Sequence, residues 1–235
     1  MLDHTIFNER PESQDRAIKE LQAMGYQYIP RAEAEKKRGH LSRVLFPDVM
    51  HEFLSSQSFT YRGKVCPFSD DAIGEAIREL DAPLEKGLMY ASKAVYDRLV
   101  YGKSCEIHLY DGNAQSFDIS YIDWEHPEKN IWQVTEEFSV ERLNGKFARP
   151  DIVILVNGIP LAVIECKKAS VDVEESVKQN VRNWQPDYIP QLFKFAQLVI
   201  AANPDTVKYG TAGTTQEYYC KWHEEDREWQ EDSAK

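Results

Sequence analysis

Asp151, Glu165 and Lys167 are the residues whose types and spacing suit chemistry on a phosphate ester. They lie in RPDIVILVNGIPLAVIECKK, residues 149–168, an otherwise apolar pair of segments that turns at Asn157-Gly158. Hydrolysing a phosphodiester needs a metal ion to neutralise the phosphate and to make a hydroxide-like water. Mg²⁺ takes oxygen ligands in octahedral geometry, and one or two carboxylates usually suffice. Asp151 and Glu165 supply that pair, and the carbonyl of Cys166 offers a third oxygen. Lys167 lies two residues beyond Glu165, so on a strand the two side chains share a face. An ammonium placed there can orient the attacking water and stabilise charge as it develops. Lys168 has the opposite parity and is assigned to the surface or to phosphate contact.

Strict alternation along strands sets a condition on this site. A plain two-residue loop at Asn157-Gly158 would pair Asp151 with Ile164 and put the carboxylates on opposite faces. An odd loop, a bulge or a bend at Asp151 must restore them to one face. The expected device is a three-residue loop ending in Gly158 as a G1 bulge. The bland alternative is a buried strand that simply emerges into solvent at its charged end. Against it, Glu165 follows six apolar residues, where the strand is still covered. A carboxylate there is costly without a counter-charge.

The elements that must position these residues are legible in outline. Residues 13–24 place Ile18, Leu21 and Met24 at helical spacing, with Ser13 as cap and Gly25 as stop. The basic stretch 31–39 reads as a solvated helix face or loop, and 41–101 as mostly helical. A helix start falls at Ser69, followed by the stripe Ile73, Ala76, Ile77 and Leu80. Two strands surround Asp111-Gly112-Asn113, and 131–143 is a further strand closed by Asn144-Gly145. Beyond the hairpin, 172–183 forms a helix with Val173, Val177 and Val181 on one face. Residues 189–196 form another helix, and 198–203 and 206–211 are short strands.

The chain's 235 residues, 42% hydrophobic and 29% charged, suit a soluble globular protein with a proper core. No apolar run approaches a membrane span and MLDHTIFNERPE has no signal core, so the expected location is cytoplasmic. Cysteines 66, 105, 166 and 220 lack zinc-ligand spacing and read as free thiols. A net charge of −11 argues against a large nonspecific DNA surface. The charge is uneven, however: residues 142–182 hold seven bases against five acids, and the last nineteen hold seven acids against three bases. No GxxxxGK[ST], HExxH or GxSxG motif occurs.

As an ordered set, SQDRAIKELQAMGYQYI (13–29), DWEHPEKNIWQVTEEFSVE (123–141), the 149–168 stretch, IPQLFKFAQLVIAAN (189–203) and KYGT (208–211) resemble a known family. The family is the N-terminal nuclease domain of the R subunit of type I restriction-modification enzymes. The resemblance covers most of the chain and is weakest across 31–100. It implies an α/β fold with the PD-(D/E)xK restriction-endonuclease core, a mixed sheet flanked by helices. It implies Asp151, Glu165 and Lys167 as the catalytic triad, with Mg²⁺ as cofactor. By the same resemblance Glu12 joins the metal site. Gln179 takes the Gln of a QxxxY motif whose Tyr position is here Asn183, followed by Trp184.

The whole of 1–235 is then one endonuclease domain, with a mostly helical part at 31–101 and the catalytic core at 102–212. Such subunits continue into a DNA translocase, which alone uses ATP, and work on double-stranded DNA with methylation and specificity subunits. The competing reading is a catalytically silent domain of the same fold. It would dock on partner subunits or a motor through a surface including Trp124, Trp132, Trp184 and the acidic tail.

Overall fold

The computed structural model describes residues 12–223, Glu12 by its backbone alone. Helix α1 (Glu12–Ala23) leads into strand β1 (Gln27–Ile29), helix α2 (Arg31–Arg38) and helix α3 (Pro47–Ser55). A hairpin, β2 (Ser58–Tyr61) and β3 (Lys64–Pro67), precedes helices α4 (Asp70–Leu80) and α5 (Leu88–Tyr101). A second hairpin, β4 (Lys103–His108) and β5 (Ala114–Ile119), is followed by β6 (Trp132–Glu136), β7 (Val140–Glu141) and β8 (Phe147–Ala148). Then come β9 (Ile152–Val156), β10 (Ile159–Cys166), α6 (Val173–Asn183), α7 (Pro190–Phe193), β11 (Leu198–Ala202), β12 (Val207–Gly210) and β13 (Cys220–Lys221).

The main sheet has seven strands in the order β1-β6-β9-β10-β11-β12-β13. The β1/β6 and β10/β11 pairs are parallel and the others antiparallel. Residues from β9, β10 and β11 alternate between two apolar clusters. Val153, Leu155, Val163, Val199 and Ala201 join the large core with Val173 and Val177 of α6. Ile152, Ile164 and Cys166 join the smaller one with Ile18 of α1. The sheet is therefore covered by α6 on one face and by α1 on the other, and its central strands read as nearly continuous apolar runs for that reason.

Several expectations are met through identifiable caps. Ser69 accepts the Ala72 N–H at 3.3 Å, with Asp70 and Asp71 in the first turn of α4. Asp172 accepts the Glu174 N–H at 3.0 Å and starts α6. Others are corrected. Ser13 is inside α1, and its hydroxyl donates to the Lys167 carbonyl instead of capping. Met24 is 72% exposed, because α1 ends at Ala23 and the chain then turns through Gly25 with φ 99°. The 41–101 region contains the β2/β3 hairpin as well as helices, turning at Arg62-Gly63 with φ 48° and 77°. The strand expected at 131–143 is interrupted at Glu137, whose φ is 48°, and resumes as β7. The helix expected at 189–196 is only the single turn α7. Arg38, expected in a solvated stretch, is buried over the Phe138 ring at 3.9 Å and donates to the Ser139 carbonyl at 2.8 Å.

The β9/β10 hairpin departs from expectation in a way that matters. Val156 faces Ile159 across a two-residue turn, with Asn157 at φ 52° and Gly158 at φ 80°. Positive φ at both central residues is the demand of a type I′ turn, which Asn-Gly meets. Gly158 is required a second time, since a Cβ there would lie 2.6 Å from the Phe46 carbonyl oxygen. The loop is thus the plain one, and no G1 bulge forms. The shift comes two residues later: Leu155 faces Pro160, yet Ile154 faces Ala162, leaving Leu161 as the extra residue. Leu155 and Pro160 form the non-hydrogen-bonded pair next to the turn, so the missing Pro160 N–H costs the β9/β10 ladder nothing, and the bulge follows at Leu161. Ile164 then faces Ile152, and the same register sets Glu165 opposite Asp151.

The buried Asn157 amide stitches this turn to the body. Its Nδ2 donates to the Tyr121 carbonyl at 3.0 Å and to Asn130 Oδ1 at 2.8 Å, and its Oδ1 accepts the Ile131 N–H at 2.7 Å. Glycine tolerates the same backbone, so Asn157→Gly isolates these hydrogen bonds. We expect it to lower unfolding free energy by about 1–2 kcal/mol, read by urea denaturation. An unchanged midpoint would show that the amide contributes nothing.

Candidate active site

The bulge at Leu161 brings Asp151 and Glu165 to the face covered by α6. Glu165 is fully buried and Asp151 half-buried. Asp151 stands just before β9, and its Oδ2 accepts the Cys166 N–H at 2.7 Å. The first turn of α1 holds the same end of the sheet: Gln14 Nε2 donates to the Asp151 carbonyl at 3.1 Å, and the Ser13 hydroxyl to the Lys167 carbonyl at 3.0 Å.

Helix α6 supplies the rest. Gln179 bridges the other two residues: it accepts from Lys167 Nζ at 2.7 Å through Oε1 and donates to Glu165 Oε2 at 2.5 Å through Nε2. Asn183 Nδ2 donates to Glu165 Oε1 at 3.1 Å. Lys167 therefore reaches Glu165 through an amide whose ends are complementary to an ammonium and a carboxylate.

Burial pushes Glu165 well above the usual carboxylate range, and the neighbouring Asp151 charge pushes it further; Lys167 acts the other way. Burial also raises Asp151, opposed by the Cys166 N–H and then by Lys167. The two carboxyls are close enough to influence each other's charge, which favours one shared proton. A buried and a half-buried carboxylate, with Lys167 as the first cation acting on them and Arg182 a weaker one on Glu165, are short of positive charge. That is the electrostatic signature of a site suited to a divalent cation, and the donor set, carboxylate oxygens, is the one Mg²⁺ prefers. Among the described residues no three His, Cys, Asp or Glu side chains group together, so the side-chain ligands on offer are this pair.

The sequence-derived site residues thus fall as follows. Asp151, Glu165, Lys167 and Gln179 come together. Cys166 contributes backbone only: its thiol is buried on the opposite face with Ile152 and Ile164, and burial pushes it up to about 12. Lys168 is exposed. Glu12 begins α1 near the site, but its side chain lies outside the described residues. Sequence reasoning missed Gln14, and it gave Asn183 no role. Gln14 is a polar residue four before Ile18, on the buried stripe of an amphipathic helix, and that misplacement was a usable signal. Asn183 closes a similar polar stripe on α6 with Ser176 and Asn180.

A seven-stranded mixed sheet with helices on both faces and a central hairpin carrying paired carboxylates defines a protein of the restriction-endonuclease-like class. The family model described as "Type I restriction enzyme R protein N terminus" matches residues 6–218, and the chain belongs to that family. It is 30% identical over 132 residues to a putative type I restriction enzyme MjaIXP endonuclease subunit of Methanocaldococcus jannaschii, covering 55% of this chain and 13% of that protein. It is 23% identical over 214 residues to the type I restriction enzyme HindI endonuclease subunit of Haemophilus influenzae, covering 87% of this chain and 19% of that protein. Against the EcoprrI endonuclease subunit of Escherichia coli the figures are 30% over 132 residues, 55% of this chain and 39% of that protein. The matched region is thus a minor part of each relative's length.

Proposed function

We propose that this domain is the DNA-cleaving part of a type I restriction enzyme R subunit, hydrolysing phosphodiester bonds of double-stranded DNA with Mg²⁺. The observation that carries the reading is the register shift at Leu161, which opposes Asp151 to Glu165, with Gln179 of α6 tying Lys167 to Glu165. The family and the relatives' names support the substrate class.

A bound Mg²⁺ would neutralise phosphate charge and acidify a water. Asp151 and Glu165 would hold that ion by carboxylate oxygens, and the Cys166 carbonyl would be the adjoining backbone donor. Lys167 orients the water for attack on phosphorus opposite the departing sugar oxygen and stabilises charge on the phosphate. Gln179 fixes Lys167 and Glu165 at one spacing, so neither needs to reorganise during reaction. Asn183 keeps the second Glu165 oxygen in place. Among the described residues no helix is long and apolar enough to cross a membrane; the proposed place of work is on DNA in the cytoplasm. We further propose that the domain acts beside a downstream ATP-driven translocase and with methylation and specificity subunits, which would supply much of the DNA grip.

Anomalous scattering from crystals soaked in Mn²⁺ tests the site. The expected peak lies within coordination distance of both Asp151 and Glu165, about 2.0–2.2 Å. Its absence at saturating Mn²⁺, with the carboxylates still paired, would refute the ion-holding role.

A further inference from the structure

Where α4 and the end of α7 meet the start of α3, a cavity of about 540 Å³ is lined by Arg43, Arg78 and Lys194, with Asp81 as the single acid on its wall. The whole chain carries 39 acids against 28 bases, so three cations to one acid in one hollow is a local reversal of sign. A concavity lined by one sign of charge focuses its field and draws in ions of the other sign. None of these residues takes part in the nuclease chemistry above.

Lys194 is the deepest of the three, only 5% exposed. Burying an ammonium is costly, so its partners matter. Its Nζ donates to the Ala82 carbonyl at 2.5 Å and is ion-paired to Asp81 Oδ1 at 2.7 Å. The Asp81 side chain is 59% exposed, so water screens much of its charge and it compensates the lysine poorly. An ammonium has three protons to donate, and the carbonyl and the carboxylate take two. Arg43 and Arg78 are exposed, and among the described residues neither guanidinium makes a hydrogen bond or an ion pair. Both are nonetheless mounted on fixed backbone. The Arg43 carbonyl accepts from Nη1 of the buried Arg38 at 3.2 Å, and its N–H donates to the His40 carbonyl at 3.0 Å. Arg78 is in the last turn of α4.

We propose that this cavity is a binding site for a phosphate group. Two guanidinium forks and one ammonium are the donor set that suits tetrahedral oxyanions: arginine meets paired oxygens side by side, and lysine acts as a point charge. Lys194 takes the innermost oxygen and gives up its contact with Asp81, and Arg43 and Arg78 close on the outer oxygens. Val44, Leu45 and Ile77 form an apolar wall beside them, against which the organic part of a phosphate ester packs. The volume lies within the range of about 300–1,000 Å³ usual for small-ligand sites. A free phosphate ester and the backbone of a DNA strand present the same chemistry here. The site shares no residue with Asp151, Glu165 and Lys167, so it stands or falls apart from the nuclease reading.

The test is calorimetric titration of the 235-residue chain with pyrophosphate, in EDTA and at fixed ionic strength. Arg43→Ala and Arg78→Ala should each weaken binding by about 10-fold, the loss of one charge-assisted hydrogen bond. Both side chains are exposed, so each variant should keep the wild-type Tm when no probe is present. Asp81→Asn, which releases the Lys194 ammonium, should tighten binding. Asp205→Asn, an equal change of net charge on the exposed turn between β11 and β12, should leave it unchanged. No binding at about 10 mM pyrophosphate, or equal affinity in both arginine variants, would overturn the proposal. Loss of binding in Lys167→Ala would move the phosphate to the nuclease site and overturn it too. A short DNA duplex added to the same titration separates the two sources. Competition that the arginine variants weaken assigns the site to the DNA backbone, and binding of pyrophosphate without competition assigns it to a free phosphate ester.

Discussion

Lys167→Ala lowers Mg²⁺-dependent nicking of supercoiled DNA by about 10²–10⁴-fold, the range for a group acting on proton transfer and developing charge. The expected loss is in the chemical step. Lys167 is only partly buried and its ammonium is held by Gln179, so its removal opens no core cavity. The variant should keep its circular dichroism spectrum and its Tm within a few degrees. It should also keep Mn²⁺ affinity within a small factor, because the proposed ligands are Asp151 and Glu165. Nicking at the wild-type rate by a folded variant would leave the domain with a docking role. Loss of nicking together with loss of Mn²⁺ binding would assign Lys167 to the ion site itself. The assay is best run on the chain and on the assembled restriction enzyme in parallel.

The second large effect concerns stability. Glu165 and Asp151 titrate above their ordinary values of 4.5 and 3.8, through burial and, for Glu165, the Asp151 charge. The folded chain therefore keeps protons that the unfolded chain has already lost. Stability from these groups is full below the unfolded values and falls as pH rises through the folded ones. Glu165→Gln removes the buried charge and leaves Asn183 an easy accommodation: flipping its amide lets the unpartnered Oδ1 accept from the new side chain. At about pH 8, without metal, the variant should exceed wild type by about 1–4 kcal/mol, a gap that narrows towards about pH 4. Mn²⁺ should stabilise wild type and leave the variant little changed. Urea denaturation across that range provides the check. A variant less stable than wild type at every pH would mean that the carboxylate's hydrogen bonds outweigh its burial.

Both results depend on features of different visibility. The Asn-Gly turn, the apolar strands around it, and the Ser69 and Asp172 helix starts are local: each is set by the φ demand or capping chemistry of a few adjacent residues, so the sequence alone determines them. The pairing of Asp151 with Glu165 was also implied, because alternation requires some register shift if both are to face one ion. Where the shift falls was not implied. It is decided where β10 has to satisfy β9 on one side and β11 on the other. That is a property of three strands at once, and no window of sequence holds it.

The short β2/β3 hairpin escaped for a different reason. Its residues are mostly exposed, so the hydrophobic alternation that marks a strand is weak. Gln14 and Asn183 belong to the same class. Helical spacing tells which face a polar residue occupies, but the partner that makes its burial tolerable comes from another element: Asp151, 137 residues from Gln14, and Glu165 of β10 for Asn183. The chemistry of the site was written in Asp151, Glu165 and Lys167. The tertiary structure decided what holds them still, because buried polar groups are satisfied by packing geometry and not by neighbours in the chain.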